Sequence, residues 1–445
     1  MPGKIENIIR CRKYKVIIVF LFTSVFLNGQ APNQEIPAEF TLSDCISFAL
    51  ENQPVIRQSV IDEKITGKNI GIALSDWYPQ ASLNAGVQHY LVIPENSSGA
   101  KTTSANTSAA NFSVTQAIYS NKLLLDTRSS GELRNQAAES TESAMIDTYV
   151  NVTKAFYNVL LTRERIRVLD EAISRLQRNY DDAYNLYRNG MADRIDYQRT
   201  EIARGNARAQ KKSAGESLTS GYSILKQVMG MSAENNFTVS YDTSAYEKEI
   251  LTDTTKIIDY TRRVEYRQVE SALKLQSYNI GYYRWSFLPS VSAFYNYNSQ
   301  FYNDRFPDLY TSSYPSSAAG LNFSLPLFEG MNRVQNLGKA KLQYKRLQIG
   351  MEGLKNEMST EYISALSQYS GDLNELKTAK MNIALARDIF NTVRLQYEKG
   401  IKAYLEVIVS ETDLRTAELN YLNSLFRVLS SKVDLEKAAG DIKVN

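Results

Sequence analysis

Two prolines 210 positions apart constrain this chain more than any other feature. In SDWYPQASLNAGVQHY (residues 75–90) and YYRWSFLPSVSAFYNYNSQFY (282–302), a polar stretch of helical character runs into aromatics at a proline and then breaks into strict alternation. Pro79 and Pro289 are separated by 210, as are Tyr187 and Tyr397, Gly190 and Gly400, and Gly230 and Gly440. The second strand signals, Phe112 to Ser120 and Phe323 to Gly330, align Tyr119 with Phe328 at 209. An ordered series of this kind marks a tandem duplication, so the plan of one half is the plan of the other.

Each half reads as helix, two strands, a very long helix and a further long helix. Ile166, Leu169, Ile173, Leu176, Tyr180, Ala183 and Tyr187 follow an alternating three- and four-residue spacing, the a/d seam of a coiled coil. The same seam returns 210 residues later as Leu376, Ala379, Ile383, Ala386, Phe390, Val393 and Tyr397. A sustained period of about 3.5 residues predicts left-handed supercoiling against a neighbouring helix. No proline and only one glycine, Gly131, interrupt Asn121 to Arg188, enough chain for a helix of about 100 Å. The shorter helical patterns, Leu42 to Trp77 and Met191 to Met229, would together span about 110 Å if stacked end to end. Lys256 to Phe287 and Ile401 to Ala438 repeat that sum against Gly330 to Lys399. Each half therefore offers one continuous rod and one composite rod of similar length.

The alternating segments predict strand hairpins over 80–119 and 290–328. Ala81, Leu83, Ala85, Val87 and Leu91 alternate with Ser82, Asn84, Gly86 and Gln88, and the pattern resumes at Ala110, Phe112, Val114 and Ile118. In the second hairpin Val291, Ala293, Tyr295, Tyr297 and Phe301 oppose Ser292, Asn296, Asn298 and Gln300, and Ala319, Leu321, Phe323, Leu325 and Leu327 oppose Gly320, Asn322 and Ser324. Strands of roughly 9–12 residues, apolar on one face and polar on the other, have the dimensions of those that cross an outer membrane. Trp77, Tyr78, Trp285 and Phe287 fall at the near membrane interface, where amphipathic aromatics collect. Pro79 and Pro289 turn the chain from helix into strand. Four strands cannot close a barrel, and open edges are not tolerated in lipid. The barrel must be shared among chains, eight strands from two copies or twelve from three.

Lys4, Arg10, Arg12, Lys13 and Lys15 precede the apolar run Val16 to Leu27, and Asn28-Gly29-Gln30-Ala31 follow it. This is the order of an export signal, in a run too short to span a bilayer, so residues 1–30 are read as a signal peptide. Cys11 lies ahead of the run, which leaves no lipid-attachment cysteine after it, and Cys45 is the single thiol beyond it. The formal net charge of +3 falls to about −1 without the leader, which removes any argument for nucleic acid as a partner. Residues 31–230 form the first repeat, 231–255 an aperiodic equatorial connector, and 256–445 the second repeat.

In this plan the chain resembles the TolC family of outer-membrane efflux proteins over essentially its whole mature length. The resemblance rests on the duplicated order and on QAIYSN (116–121) and LPLFEG (325–330). It rests also on YRNGM and YEKGI, whose glycines are each followed six residues later by an acid, Asp196 and Glu406. It implies a mainly α fold with a small membrane β-barrel: a homotrimer whose twelve-stranded barrel, in outer-membrane lipid, stands above an α-helical tunnel in the periplasm. It also implies docking onto a periplasmic adaptor (membrane fusion) protein and an inner-membrane efflux pump, with export of drugs, metals or other small molecules. A polypeptide-secretion outlet of the same fold is the alternative within the class.

By the same resemblance Tyr187, Gly190, Asp196, Tyr397, Gly400, Lys402 and Glu406 form the periplasmic tip and gate. Tyr397 and Lys402, where the family pattern often has arginine, are expected to tether Asp196 and hold the tunnel shut. Glu406 is expected to place one carboxylate per chain at the mouth. Val409 is apolar where some members carry a second acid.

No catalytic constellation is present. His89 is the only histidine, which excludes HExxH zinc sites and makes histidine-based triads unworkable. Gly67-Lys68 lacks the upstream glycine of a phosphate loop. An enzyme is not expected, nor a bound metal or cofactor. The rival outside the channel class is a periplasmic coiled-coil structural protein without a pore.

Overall fold

The computed structural model describes residues 39–240, 250 and 258–444. The expected signal peptide lies outside the described residues, as does most of the expected connector.

Strand β1 (Glu39–Phe40) leads into helix α1 (Leu42–Asn52) through a reciprocal cap: the Thr41 hydroxyl accepts from the Asp44 amide, and the Asp44 carboxylate accepts from the Thr41 amide. Helix α2 (Pro54–Ser75) follows after Gln53 alone. The helical pattern from Leu42 to Trp77 is thus two helices, because the residue before a proline is pushed out of the helical region and Gln53 sits at φ −62°, ψ 122°. Strands β2 (Gln80–His89) and β3 (Asn106–Tyr119) form the first hairpin. Helix α3 (Asn121–Arg188) runs unbroken for 68 residues, and α4 (Arg194–Met229) returns along it. Strand β4 (Thr238–Val239) pairs in parallel with β1. The second half repeats the plan in α5 (Val264–Trp285), β5 (Ser290–Asn303), β6 (Tyr314–Ser324), α6 (Asn332–Glu398) and α7 (Tyr404–Ala439). The bounds of α5 and α7 are those of α2 and α4 shifted by 210.

Left-handed glycines join the shorter helices to the chain they abut. Gly230 ends α4 at φ +70°, and a Cβ there would lie 2.7 Å from the Asn52 carbonyl oxygen. The Gln53 side-chain amide donates to the Val228 carbonyl at 2.8 Å. In the second half Gly440 (φ +69°) abuts Arg262, with 3.1 Å from a Cβ to the Arg262 Cβ. Asn52 and Arg262 are themselves 210 apart, so the duplication extends to the joint. Along the long helices Leu169, Leu176 and Ala183 of α3, and Leu376, Ala379, Ala386 and Phe390 of α6, are buried.

The two hairpins make one antiparallel sheet of order β2-β3-β5-β6. Its register carries the alternation across all four strands. Leu83 faces Phe112, Phe112 faces Tyr297, Val114 faces Tyr295, and Ala293 faces Leu321. On the other face Asn84, Asn111, Asn298 and Ser316 fall in one row, and Ser82, Ser113 and Asn296 in the next. Among the described residues the outer edges of β2 and β6 have no partner strand.

Three details depart from simple alternation. A bulge between Ala117 and Tyr119 places Tyr119, not Ile118, opposite Val291. Strand β6 ends at Ser324, two residues before Pro326, which has no amide to give a ladder, so Leu325 and Leu327 lie beyond the sheet. Gly330 (φ +57°) and Met331 (φ +67°) both take left-handed backbone before α6, which delays the helix from the expected Gly330 to Asn332.

Candidate functional site

The helix hairpins turn at Gly190 (φ +73°) and Gly400 (φ +76°), where an L side chain would be strained and glycine is not. Both turns are closed alike. Gly190 donates to the Tyr187 carbonyl and Met191 to that of Leu186, as Gly400 does to Tyr397 and Ile401 to Gln396. The helices that follow start differently. The Asp193 carboxylate caps α4 by accepting from the Ile195 amide at 2.9 Å. Ala403, at the equivalent position ahead of α7, has no such group.

Around these turns the two halves meet in an aromatic cluster. Ala183, Ala386, Phe390, Tyr404, Val407 and Leu414 are buried together, with Tyr197 and Tyr397 packed against them. The Tyr187 ring lies 5.2 Å from that of Tyr197, and Tyr397 is 5.2 Å from Tyr404. Asp196 is half-buried in the first turn of α4. Burial, and then the neighbouring Asp193, pushes its carboxyl upward, against the pull of Arg199. Burial, with Asp196 and Asp182 nearby, also pushes the Tyr397 phenol upward. Tyr397 and Asp196 are thus within electrostatic reach, but no hydrogen bond joins them among the described residues. Lys402 and Glu406 are exposed, and no described ion pair links Lys402 to Asp196.

Two features here were not singled out from the sequence. Tyr404 is 4 % exposed; its hydroxyl donates to the Asn179 carbonyl at 2.7 Å and pairs with the Thr200 hydroxyl at 2.8 Å. It stitches α7 to both α3 and α4. One heptad further along α7, Glu411 is fully buried, 3.6 Å from an Arg175 nitrogen that also bonds Glu418 at 3.1 Å. Arg387 of α6 approaches Glu418 at 3.6 Å. Among the described residues neither Glu411 oxygen has a hydrogen-bond partner. Burial raises its pKa, and Arg415 and Arg175 only partly oppose the rise. The signal was available: Tyr404, Glu411 and Glu418 are spaced by seven, which places two carboxylates on a core-facing stripe.

One helix-length away, at the strand junctions, the Trp77 indole donates to the Thr127 hydroxyl at 3.1 Å. Trp285 and Phe287 are half-exposed, with their rings 6.1 Å apart. Pro79 and Pro289 immediately precede β2 and β5. The Asn121 side-chain amide donates to the Tyr282 carbonyl at 2.7 Å, which ties the start of α3 to the end of α5.

Residues 45–231 and 261–441 match the sequence profile of the outer membrane efflux proteins. The chain belongs to that family. Among its relatives is the probable efflux pump outer membrane protein TtgC of Pseudomonas putida, 22 % identical over 316 residues; the match spans 68 % of this chain and 62 % of TtgC. The cation efflux system protein CusC of Escherichia coli O157:H7 is 20 % identical over 419 residues, covering 89 % of this chain and 85 % of CusC. The fold is that of the Campylobacter jejuni CmeC outer membrane channel, with a TM-score of 0.73 at 18 % identity over 90 % of this chain and 85 % of that one. As an outer membrane efflux protein the chain resides in the outer membrane, in a family without enzymatic chemistry. The TolC resemblance is thereby established, and the mainly helical, duplicated fold with it.

Proposed function

We propose that three copies of this chain form a continuous duct, a shared twelve-stranded barrel in the outer membrane and a helical tunnel in the periplasm. Through it small molecules pass outward from a periplasmic adaptor and an inner-membrane pump. The observation that carries this reading is the sheet. It is mostly apolar on one face and mostly polar on the other, and among the described residues it leaves β2 and β6 without outer partners. Unpaired edges are excluded from lipid, so closure has to come from further copies. The helices support the same reading. Leu342, Ile349 and Ile363 of α6, one and then two heptads apart with Asn356 at the position between the last two, are all more than half exposed, a stripe suited to a neighbouring helix.

At the tip, Tyr397 and Lys402 act with Asp196 as a closing contact, and Glu406 contributes to a ring of carboxylates at the mouth. Exposed pairs of this kind contribute only about 0–1 kcal/mol, which suits a gate that a docking partner has to open. The names of TtgC and CusC speak of efflux pumps and cation efflux; here the cargo is assigned only as small molecules.

The test is extraction of outer membranes in detergent, with the oligomer's mass and its single-channel conductance measured in planar bilayers. A trimer of small conductance that rises in Lys402→Ala supports both duct and gate. A water-soluble, non-conducting species sinks the duct, and a conducting trimer unchanged by Lys402→Ala removes this gate.

A further inference from the structure

A cleft opens where the sheet gives way to the helices, between the start of α3 and the end of α5. It holds about 150 Å³, and Tyr119, Leu125, Tyr278, Tyr282 and Trp285 line it together with Arg128. Among the described residues that line it, Arg128 alone carries a charge. Tyr119 stands opposite Val291, and Val291 opposite Phe323, so the cleft continues the apolar row of the sheet. A second cleft, on the polar row marked by Ser290 and Ser324, shares Tyr282 with it.

The two clefts treat charge differently. On the polar side Lys122 pairs with Asp126 at 2.8 Å and Arg333 with Glu329 at 2.9 Å. Arg128 is exposed, and among the described residues its side chain has no ion pair or hydrogen-bond acceptor. Glu132, one turn further along α3, faces Lys274 at 3.8 Å instead. Trp285 is half-exposed and likewise has no described acceptor for its indole N–H, whereas the Trp77 indole bonds Thr127. An unpaired arginine on a helix surface is ordinary. One set among aromatics, with no carboxylate in the lining, leaves a positive charge to be met by a ligand.

Depth and position agree with a membrane ligand. Arg128 lies seven residues past Asn121, the first residue of α3, or about 10 Å along the axis. Helix side chains lean toward the N-terminus, which for α3 is the sheet end, and a long arginine carries its guanidinium further that way. The headgroup layer on each side of a bilayer is roughly 5–8 Å deep, within that reach. The cleft lies beneath β3 and β5, the inner strands of the sheet, so copies joined at β2 and β6 would leave it uncovered.

We propose that this cleft binds the phosphate of an anionic glycerophospholipid in the leaflet that meets the helices, with Arg128 as the phosphate's ligand and the acyl chains against the apolar row. This rests on the barrel reading above. Arginine presents paired donors that match a phosphate, and tryptophan and tyrosine rings suit a wall that is half in lipid and half wet. The volume is below the about 300–1,000 Å³ of a small-molecule site, which admits a headgroup and leaves the chains outside. With no carboxylate to receive an ammonium, the lining selects a net-anionic lipid over a zwitterionic one.

Fluorescence of the full-length protein in phosphatidylcholine vesicles tests this. Trp77→Phe leaves Trp285 as the only tryptophan, and its quenching by brominated phosphatidylglycerol is compared with that by brominated phosphatidylcholine at equal fractions. The anionic lipid should be preferred about fivefold, the preference one basic residue confers near a lipid surface. Arg128→Gln should abolish the preference and Arg128→Lys should retain it. A preference unchanged in Arg128→Gln, or lost equally in Lys122→Gln or Arg284→Gln, overturns the inference. So does equal quenching by both lipids. If inorganic phosphate, against chloride at equal ionic strength, removes the preference, the site takes free phosphate and the lipid assignment falls. Quenching by neither lipid means that Trp285 does not reach the bilayer, which overturns the barrel reading itself and is thereby told apart from failure of the cleft.

Discussion

Single residues hold the joints of this fold by two different means. Gly230 has both a left-handed backbone and a neighbour too close for a side chain, whereas Gly190 has the same backbone and open space around it. Gly190→Ala should therefore cost only the conformational penalty of about 1–2 kcal/mol. Gly230→Ala should cost that and the displacement of Asn52 besides, about 3 kcal/mol or more; thermal unfolding in detergent followed by circular dichroism ranks the two. The buried charges make a second contrast. Removing Arg175 takes away the partner that Glu411 and Glu418 share and leaves only Arg415 near the first and Arg387 near the second, so Arg175→Ala should destabilise by about 3 kcal/mol, while Glu411→Gln should be neutral or stabilising. The sign of the pH effect follows from the raised Glu411 pKa. A carboxyl that holds its proton more tightly in the folded chain gains stability as pH falls from above its folded pKa toward the ordinary 4.5. The gain should be missing in Glu411→Gln when melting temperatures are compared across that window.

Between elements, the contact that matters most joins the two halves at the tip. Tyr404 belongs to α7 and bonds the backbone of α3 and a hydroxyl of α4, so separating the hairpins there breaks both bonds. Tyr404→Phe keeps the ring in its cluster and loses the hydroxyl, leaving the Asn179 carbonyl buried without that donor. The expected cost is about 1–3 kcal/mol, with a conductance above wild type if hairpin separation opens the duct. An unchanged melting curve with unchanged conductance would show that this stitch holds nothing. The long helices and their turns were legible beforehand because proline-free length, heptad spacing and turn glycines are local signals. The seven-residue spacing of Tyr404, Glu411 and Glu418 was legible too, but not their partners, because a tyrosine or glutamate on a core stripe becomes a cross-half contact only once α7 is laid against α3.

Across the whole chain, the sheet decides whether the protein sits in a membrane as a wall. Phe112→Lys, at the middle of the apolar face, should cost about 2–4 kcal/mol of stability in the proposed barrel and remove the protein from the outer-membrane fraction. Asn111→Lys, its neighbour on the polar face, should be retained there. Equal loss of both would mean that both faces are buried against protein. Local patterning by itself determined the duplication, the order of helices and strands and which residues share a strand face, since periods of two and of three to four residues are properties of neighbours along the chain. Only the tertiary structure decided that β3 lies beside β5, that Gly230 closes on Asn52, and that Arg175 shares its charge between Glu411 and Glu418. Those pairings join segments more than a hundred residues apart in the chain, and their energies exist only when both surfaces are formed and in register.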